Sequence, residues 1–286
     1  MKKVFAYPYI LWMTIFIVVP LVLILYYSLT TTGSDGTIAF TMRNYQIFFE
    51  GLLPGQSFFD RLFVQVAVRS VFMAVQTTII CLIIGYPLAY ILASKGFSEK
   101  SFLIFLFIAP MWMNLLVRTY AWFTILERHG LMNTLLQQIG LPTVDILFTD
   151  TAVLLGMVYN FLPFMVLPIY TSLTRMDKRI IEAAQDLGAN PGQVFRRLIL
   201  PLSVPGIASG ITMVFMPSVA TFVIPNLLGG GGYFLLGNLI EQQFIMVGNW
   251  HFGSAVAVIL VVMMFISMAI LSIVDRRNKE EAGADI

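Results

Sequence analysis

The sequence has few charged residues, a single cysteine and only two histidines. Charged side chains make up 11% of the 286 residues, whereas soluble domains carry about 25%. The lone Cys81 excludes an internal disulfide, and its place in an apolar run is typical of a small buried hydrophobe. Since His129 and His251 are the only histidines, and no Cys, His, Asp and Glu cluster has ligand spacing, we predict neither a metal site nor catalytic residues.

Apolar residues dominate the chain instead. They make up 58% of it, aromatics reach 14%, and the mean hydropathy is +0.86. A disordered chain would be charged and poor in aromatic residues. The net charge of +2 is too small to indicate a nucleic acid as partner. The composition therefore predicts a chain whose main partner is membrane lipid.

Six stretches with almost no charged residues reach or approach the roughly 20 residues that cross about 30 Å of hydrocarbon. Four glycines, Gly229–Gly232, make a poor helix, so the long fifth stretch predicts one span followed by a loop. The first stretch is longer than the apolar core of a signal peptide and predicts an uncleaved helix. The sequence thus predicts an all-α integral membrane protein with six transmembrane helices. Their cores are Ile10–Leu29, Val71–Leu92, Phe102–Tyr120, Ala152–Leu173, Pro201–Val223 and Ser254–Val274.

Basic residues predict the orientation in the membrane. Twelve of the 17 lysines and arginines fall on the side that holds both termini, which the positive-inside rule assigns to the cytoplasm. We accordingly expect a first helix over residues 1–30, an extracytoplasmic segment over 31–69, five helices over 70–274 and a cytoplasmic tail over 275–286. The twelve are Lys2, Lys3, Lys95, Lys100, Arg175, Lys178, Arg179, Arg196, Arg197, Arg276, Arg277 and Lys279.

The longest cytoplasmic loop, residues 175–201, has a pattern of its own. A helical stripe of Ile180, Ala183, Ala184 and Leu187 predicts a helix over 177–187, and Gly188 follows where a helix ends in a left-handed residue. Asn190 and Pro191 predict a restart, with asparagine as N-cap and proline at the first helical position. The residues alone leave two functions open. The first helix could dock into another protein, or the loop could be an interfacial connector whose basic residues bind lipid headgroups.

The spacing within this loop resembles the EAA loop in the permease subunits of type I ABC importers. The matching residues are Glu182-Ala183-Ala184, Gly188 and Leu198-Ile199-Leu200-Pro201; Leu198 stands where the family usually has isoleucine. The resemblance implies a coupling helix seated in a cleft of a cytoplasmic ATPase dimer. It also implies a second permease subunit and an extracytoplasmic substrate-binding protein. The implied coupling residues are Glu182, Ala183, Ala184, Asp186, Gly188 and Pro201.

Further segments look like the spermidine/putrescine permease subunits of these importers, over roughly residues 8 to 275. They are 110–120, 161–170, 236–240, 243–244 and 249–253, with His251 where that family often has proline. The resemblance implies a polyamine cargo. Related permeases with the same loop carry other cargo, so iron, thiamine, sulfate or a phosphonate stays the alternative.

Polar and aromatic residues within the apolar segments are the candidate contacts with cargo. Polar side chains in membrane helices are costly unless they face a cavity or a partner, and aromatic rings attract ammonium groups. Glu241, which could instead dock the binding protein, is the favoured acidic contact. A fixed charge such as Arg118 does not suit a cation path. We expect it to pair with an acid, for example Glu127 or one on the second permease, or to hold the fold near the outer surface. The candidates are Trp112, Asn114, Tyr120, Tyr159, Asn160, Glu241 and Trp250.

Two other function classes fit the sequence poorly. An intramembrane enzyme would need acids or histidines inside the span cores, and they have none. A passive channel would not need the coupling loop. The chain also lacks a GxxxxGK[ST] phosphate-binding motif, because Gly229–Gly232 comes without the lysine and hydroxyl residue that it requires. We expect no cofactor on this chain, with ATP and Mg²⁺ bound by the partner ATPase.

Overall fold

The computed structural model is almost entirely helical and describes residues 7–33, 37–50, 62–94, 102, 104–105 and 107–284. The all-α fold class is confirmed. The helices are α1 (Tyr7–Met13), α2 (Val19–Ser28), α3 (Arg43–Glu50), α4 (Leu62–Ser94), α5 (Leu115–Leu126), α6 (Leu131–Gln138), α7 (Asp150–Thr174), α8 (Lys178–Asp186), α9 (Pro191–Val194), α10 (Leu200–Ala220), α11 (Val223–Leu228), α12 (Leu236–Glu241) and α13 (Trp250–Ala284). Shorter elements are π-turns at Thr14–Val18, Phe195–Ile199 and Gln242–Val247, a 3₁₀ turn at Ala109–Trp112, and an antiparallel ribbon of β1 (Thr30–Thr32) and β2 (Ile38–Phe40).

Five helical stretches of the described chain are long and apolar enough to cross a membrane. Each contains most of one predicted core, and α4 begins nine residues before the predicted Val71. In the first stretch, the π-turn accommodates Pro20, which has no amide hydrogen to donate. The five stretches are Leu11–Ser28, Leu62–Ser94, Asp150–Thr174, Pro191–Ala220 and Trp250–Ile270.

The third predicted core, Phe102–Tyr120, is helical on both sides of a break rather than one continuous helix. The 3₁₀ turn ends at Trp112, Met113 is extended, and α5 begins at Leu115. Pro110 removes a backbone donor, and the Asn114 side chain accepts a hydrogen bond from the Leu116 amide at 2.8 Å. This capping starts a new helix and overrides the apolar character of the run. The prediction of an uninterrupted helix here is wrong.

The chain divides into two compact units. The first comprises residues 1–69 and 234–265. Its centre is an aromatic stack in which the rings of Phe48 and Phe63 lie 6.2 Å apart and those of Phe63 and Phe252 lie 4.9 Å apart. Buried Asn44 donates to the carbonyls of Ser28 and Thr30, at 3.1 and 3.0 Å, and so ties α3 to the end of α2.

The second unit comprises residues 70–233 and 266–286, and α7 and α10 pack together along its core. Gly206 and Gly210 of α10 face α7 directly. A Cβ atom on Gly206 would lie 2.6 Å from the Cβ of Ser172, and one on Gly210 would lie 2.7 Å from the sulfur of Met165. Small residues let membrane helices approach closely, so these glycines set the spacing of the pair.

The sequence predicts a loop after the fifth span, but this segment contains regular secondary structure. It contains α11, a glycine turn, α12 and a π-turn. Gly230 and Gly231 have φ values of +63° and +73°, and a Cβ on Gly229 would lie 2.3 Å from the Cβ of Tyr233. The four glycines therefore form one tight turn, and short helices occupy the residues on either side of it.

The described residues include eight of the twelve basic residues that predict the orientation in the membrane. Lys2, Lys3, Lys95 and Lys100 lie outside the described residues, so the cytoplasmic location of the two termini stays a prediction.

Candidate functional site

The loop after α7 folds as the sequence predicts. Asp177 is the N-cap of α8, and its side chain accepts a hydrogen bond from the Arg179 amide at 3.0 Å. At the other end Gly188 has φ +83°, its amide donates to the Gln185 carbonyl at 2.9 Å, and the Ala189 amide donates to the Ala184 carbonyl at 3.0 Å. These two bonds form a Schellman motif, which requires a left-handed residue at the position of Gly188.

The restart of the helix is equally well defined. The Asn190 side chain accepts from the Gln193 amide at 2.9 Å, and the Gln193 side chain accepts from the Asn190 amide at 3.0 Å. This reciprocal capping box fixes the start of α9. The helix then continues through the π-turn into α10, which accommodates Pro201 because the π-turn already shifts the backbone hydrogen bonds by one residue.

The apolar stripe of α8 faces away from its own chain. The exposed fraction of the Leu187 side chain is 89%, that of Ile180 is 46%, Ala183 is also exposed, and Ala184 is half-buried. An exposed apolar stripe on a capped helix is typical of a surface that a partner covers. This exposure favours docking over the connector interpretation.

Glu182 is exposed and lies at the rim of a cleft of about 400 Å³ beneath α8. Hydroxyl-bearing Tyr90, Ser94 and Thr174 and the amide of Gln185 share the lining. The cleft is polar enough to accept a charged or hydrogen-bonding group next to the carboxylate. Asp186 is also exposed and ends α8.

A larger groove of about 830 Å³ runs between α7 and α10 in the second unit and reaches α8. None of the predicted coupling residues or cargo contacts lines it, although Ile180 of the α8 stripe does. Its signal in the sequence is the recurrence of small and hydroxyl residues, such as Thr171, Ser172 and Ser209, beside prolines at 168 and 205. The lining also includes Arg175 and Asp177 at the end where α7 leaves its apolar segment.

The candidate cargo contacts of the second unit are not gathered into one cavity. Trp112 and Tyr120 are exposed, by 82% and 54%, and Asn114 is committed to capping α5. Tyr159 packs edge-to-face on Trp122, with ring centroids 5.3 Å apart.

Asn160 is 1% exposed. Its side-chain nitrogen donates to the Gly156 carbonyl at 2.8 Å, while the oxygen has no partner among the described residues. It therefore faces the packed interior of the second unit.

Two candidates belong to the first unit. Glu241 is half-buried at the end of α12. Trp250 begins α13 and packs edge-to-face on Phe244, with centroids 5.4 Å apart. It lines a pocket of about 480 Å³ with Tyr27, Thr32, Gly248, Asn249 and His251.

His251 has a structural contact that the sequence did not indicate. Its Nδ1 lies 3.2 Å from the Tyr27 carbonyl and its Nε2 lies 2.9 Å from the Thr32 hydroxyl. Nδ1 also lies 3.2 Å from the Thr30 hydroxyl, so the two ring nitrogens contact three oxygens between the end of α2 and β1. The ring thus ties the start of α13 to the β1–β2 ribbon.

Arg118 is half-buried, and within the described chain its Nε has no hydrogen-bond partner. The expected pair with Glu127 does not form. The two residues are nine positions apart, which is about 13 Å along a helix, and Glu127 lies exposed beyond the end of α5. The ion pair in this region joins Arg128 to Asp145 at 3.8 Å, and both side chains are exposed.

The similarity of this chain to known proteins extends beyond the loop. Residues 85–280 match the family model described as the binding-protein-dependent transport system inner membrane component. Over 257 residues the chain is 39% identical to the spermidine/putrescine transport system permease protein PotB of Haemophilus influenzae, covering 88% of this chain and 86% of that protein. It is 36% identical over 257 residues to the protein of the same description in Escherichia coli, covering 88% and 90%.

One solved structure has the same fold. A chain in the crystal structure of a bacterial ABC transporter involved in the import of the acidic polysaccharide alginate superposes with a TM-score of 0.80 at 16% identity, covering 96% of this chain and 95% of that one. At this identity the likeness concerns the fold alone.

Proposed function

Because this chain belongs to the family of binding-protein-dependent transport system inner membrane components, we propose that it is a permease subunit of an ATP-driven importer of polyamines such as spermidine and putrescine. The observation that carries the cargo is the similarity to two spermidine/putrescine permeases over 88% of the chain. The chain is a multi-pass membrane protein.

In this proposal α8 is the coupling helix. Its apolar stripe, from Ile180 to Leu187, enters a cleft of a cytoplasmic ATPase dimer that binds ATP and Mg²⁺, and Glu182 pairs with a basic group of that partner. The exposure of the stripe supports the contact, and the caps at Asp177 and Gly188 give the helix fixed ends. Both termini then lie in the cytoplasm.

The packing around α8 can transmit a movement of the ATPases to the membrane. Helix α7 ends at Thr174, three residues before Asp177, the N-cap of α8, and α9 continues through the π-turn into α10. Because α7 and α10 pack tightly through Gly206 and Gly210, a displacement of α8 moves the two spans as a pair. Such a pair can serve as the two-state element that coupling requires.

The pathway would form between this chain and a second permease subunit. A binding protein outside the membrane would release the polyamine there, and Trp112, Tyr120 and Trp250 have exposed rings that could face an ammonium group. Glu241 supplies a carboxylate in the first unit. The groove between α7 and α10 offers hydroxyl groups towards the cytoplasmic exit.

The test is uptake of radiolabelled spermidine into proteoliposomes that contain this chain, its ATPase, a second permease and the binding protein. We expect saturable, ATP-dependent uptake that thiamine and ferric iron do not inhibit. If the ATPase is coupled but spermidine is not taken up, the chain is still an importer subunit and its cargo is not a polyamine. If the chain does not couple to the ATPase at all, the connector interpretation of the loop replaces the coupling helix.

A further inference from the structure

We infer that the pocket at the start of the α9–α10 helix binds the phosphate of an anionic phospholipid headgroup. The pocket has a volume of about 470 Å³ and is lined by Asn190, Gly192, Gln193, Arg196 and Arg197. It lies in the second half of the loop, after α8, and includes neither Glu182 nor any of the cargo candidates.

The side chains that line the pocket are rich in hydrogen-bond donors. In the capping box both side-chain oxygens, Asn190 Oδ1 and Gln193 Oε1, accept from backbone amides. One lone pair of each oxygen is thus used in the capping box, and each side chain keeps both N–H donors of its NH₂ group. Because guanidinium groups donate only, the side chains that line the pocket offer many donors, positive charge and no carboxylate.

The described part of the chain provides no carboxylate partner for the two arginines. Both are exposed, and among the residues that the structure describes no carboxylate lies within ion-pair distance of either guanidinium. Two guanidinium groups next to two amide donors match the oxygens of a phosphate, for which arginine provides bidentate hydrogen bonds.

Packing on the opposite side fixes the direction in which the arginines face. The Phe195 ring packs edge-to-face on Tyr86 and Tyr90, with centroids 6.0 and 5.6 Å apart. Val194 and Ile199 are buried beside it. The exposed residues of this stretch are Gln193, Arg196, Arg197 and Leu200, and the buried residues on the other side keep them turned outwards.

The same helix becomes apolar on its exposed side just beyond the arginines. Leu200 and Leu202 are exposed by 37% and 45%, and Leu200 is three residues, or about 4.5 Å, from Arg197. Basic residues followed within a turn by exposed leucines correspond to the passage from headgroups to acyl chains. This depth favours a lipid phosphate over a soluble phosphate or a protein carboxylate.

The inference can be tested on the purified full-length chain without cargo or ATPase, so the result does not depend on the proposed function. Native mass spectrometry would count bound phosphatidylglycerol and phosphatidylcholine. We expect the wild type to prefer phosphatidylglycerol and the double variant Arg196→Gln/Arg197→Gln to lose that preference by about tenfold. The control Arg175→Gln/Arg179→Gln, which removes two exposed arginines outside the pocket, should keep it.

A second double variant removes the two NH₂ donors and keeps the hydrogen bonds of the capping box. Asn190→Asp/Gln193→Glu preserves both capping-box acceptors, since aspartate is as good an N-cap as asparagine and glutamate occupies the same position in capping boxes. It replaces the two NH₂ donors by carboxylate oxygens. We expect unchanged thermal stability and a loss of the phosphatidylglycerol preference, while Gln137→Glu/Gln138→Glu on α6 adds the same charge elsewhere and keeps it.

Three results would overturn the inference. They are equal binding of the two lipids by the wild type, an unchanged preference in either pocket variant, and displacement of phosphatidylglycerol by glycerol 1-phosphate at equal concentration. The last result would assign the pocket to free phosphate.

Discussion

Gly206 of α10 lies against Ser172 of α7 so closely that a methyl group on the glycine would stand 2.6 Å from the Cβ of the serine and 2.9 Å from the Pro168 carbonyl oxygen. Real side chains do not approach to such distances, so the contact depends on the absence of a side chain at position 206. It joins the two spans that lead into and out of the coupling loop.

Gly206→Ala should therefore destabilise the chain although alanine favours helices. Overpacking costs about 1–3 kcal/mol and the higher helix propensity of alanine offsets about 1 kcal/mol of that, so we expect a net loss of up to about 2 kcal/mol. Thermal unfolding in detergent measures it. Gly232→Ala is the control, because a Cβ there meets nothing within 4 Å; an equal effect of the two changes would contradict the packing argument.

The backbone at Gly188 gives a second prediction. With φ +83° and open space around it, alanine would be strained without any clash, at a cost of about 1–2 kcal/mol. We expect Gly188→Ala to reduce cargo-stimulated ATPase activity several-fold and Gly188→Asn to reduce it less, since asparagine tolerates this conformation. Gly140→Ala carries the same strain at φ +77° outside the loop and should leave coupling intact.

The exposed apolar stripe of α8 gives a third prediction. Leu187→Ser removes an apolar side chain that its own chain leaves 89% exposed, so thermal stability should not change. Burial of a leucine in an interface is worth about 1.5–3 kcal/mol, and we expect affinity for the ATPase subunits to fall at least tenfold in a co-purification or binding assay. Ile139→Ser, at a 70% exposed position outside the loop, should retain wild-type affinity.

The negative charge of Glu182 gives a fourth prediction. Glu182→Arg should abolish cargo-stimulated ATPase activity while the chain still inserts into the membrane, because the carboxylate is exposed and its loss leaves no buried group unpaired. Glu127→Arg, at another exposed acid, is the matched control. Normal stimulation in the Glu182 variant would exclude this residue from coupling.

Local chemistry made the loop predictable from the sequence. The caps at Asn190 and Gly188 depend on residues within five positions of each other, and their hydrogen bonds are those that the residue types favour. The membrane spans were predictable for a similar reason, since each carries its own length and apolar composition.

The break in the third segment shows where this reasoning fails. Hydropathy reports how well a residue suits lipid and carries no information on whether the helix is continuous. Pro110 and the capping side chain of Asn114 decide continuity here. Both were visible in the sequence, but Asn114 was interpreted as a cargo contact because it is polar in an apolar run.

Tertiary packing explains the other differences. The burial of Asn160 and of the Arg118 Nε, and the outward direction of the α8 stripe, depend on how helices that are distant in sequence pack together. Periodicity located the stripe correctly, but it could not tell whether the chain itself or a partner covers that face.

The π-turn at Phe195–Ile199 sets the rotational phase between the loop and the span that follows. It accommodates one residue more than an α-helical turn, and each residue of an α-helix turns the chain by about 100°. Deletion of one residue there would preserve every cap of the loop and every apolar residue of α10. The π-turn would become an ordinary α-helical turn, and Gly206 and Gly210 would still face α7. Deletion of one residue from the α-helical turn just before Gly206 would instead rotate both glycines by about 100° and separate the two spans, although the loop would stay intact.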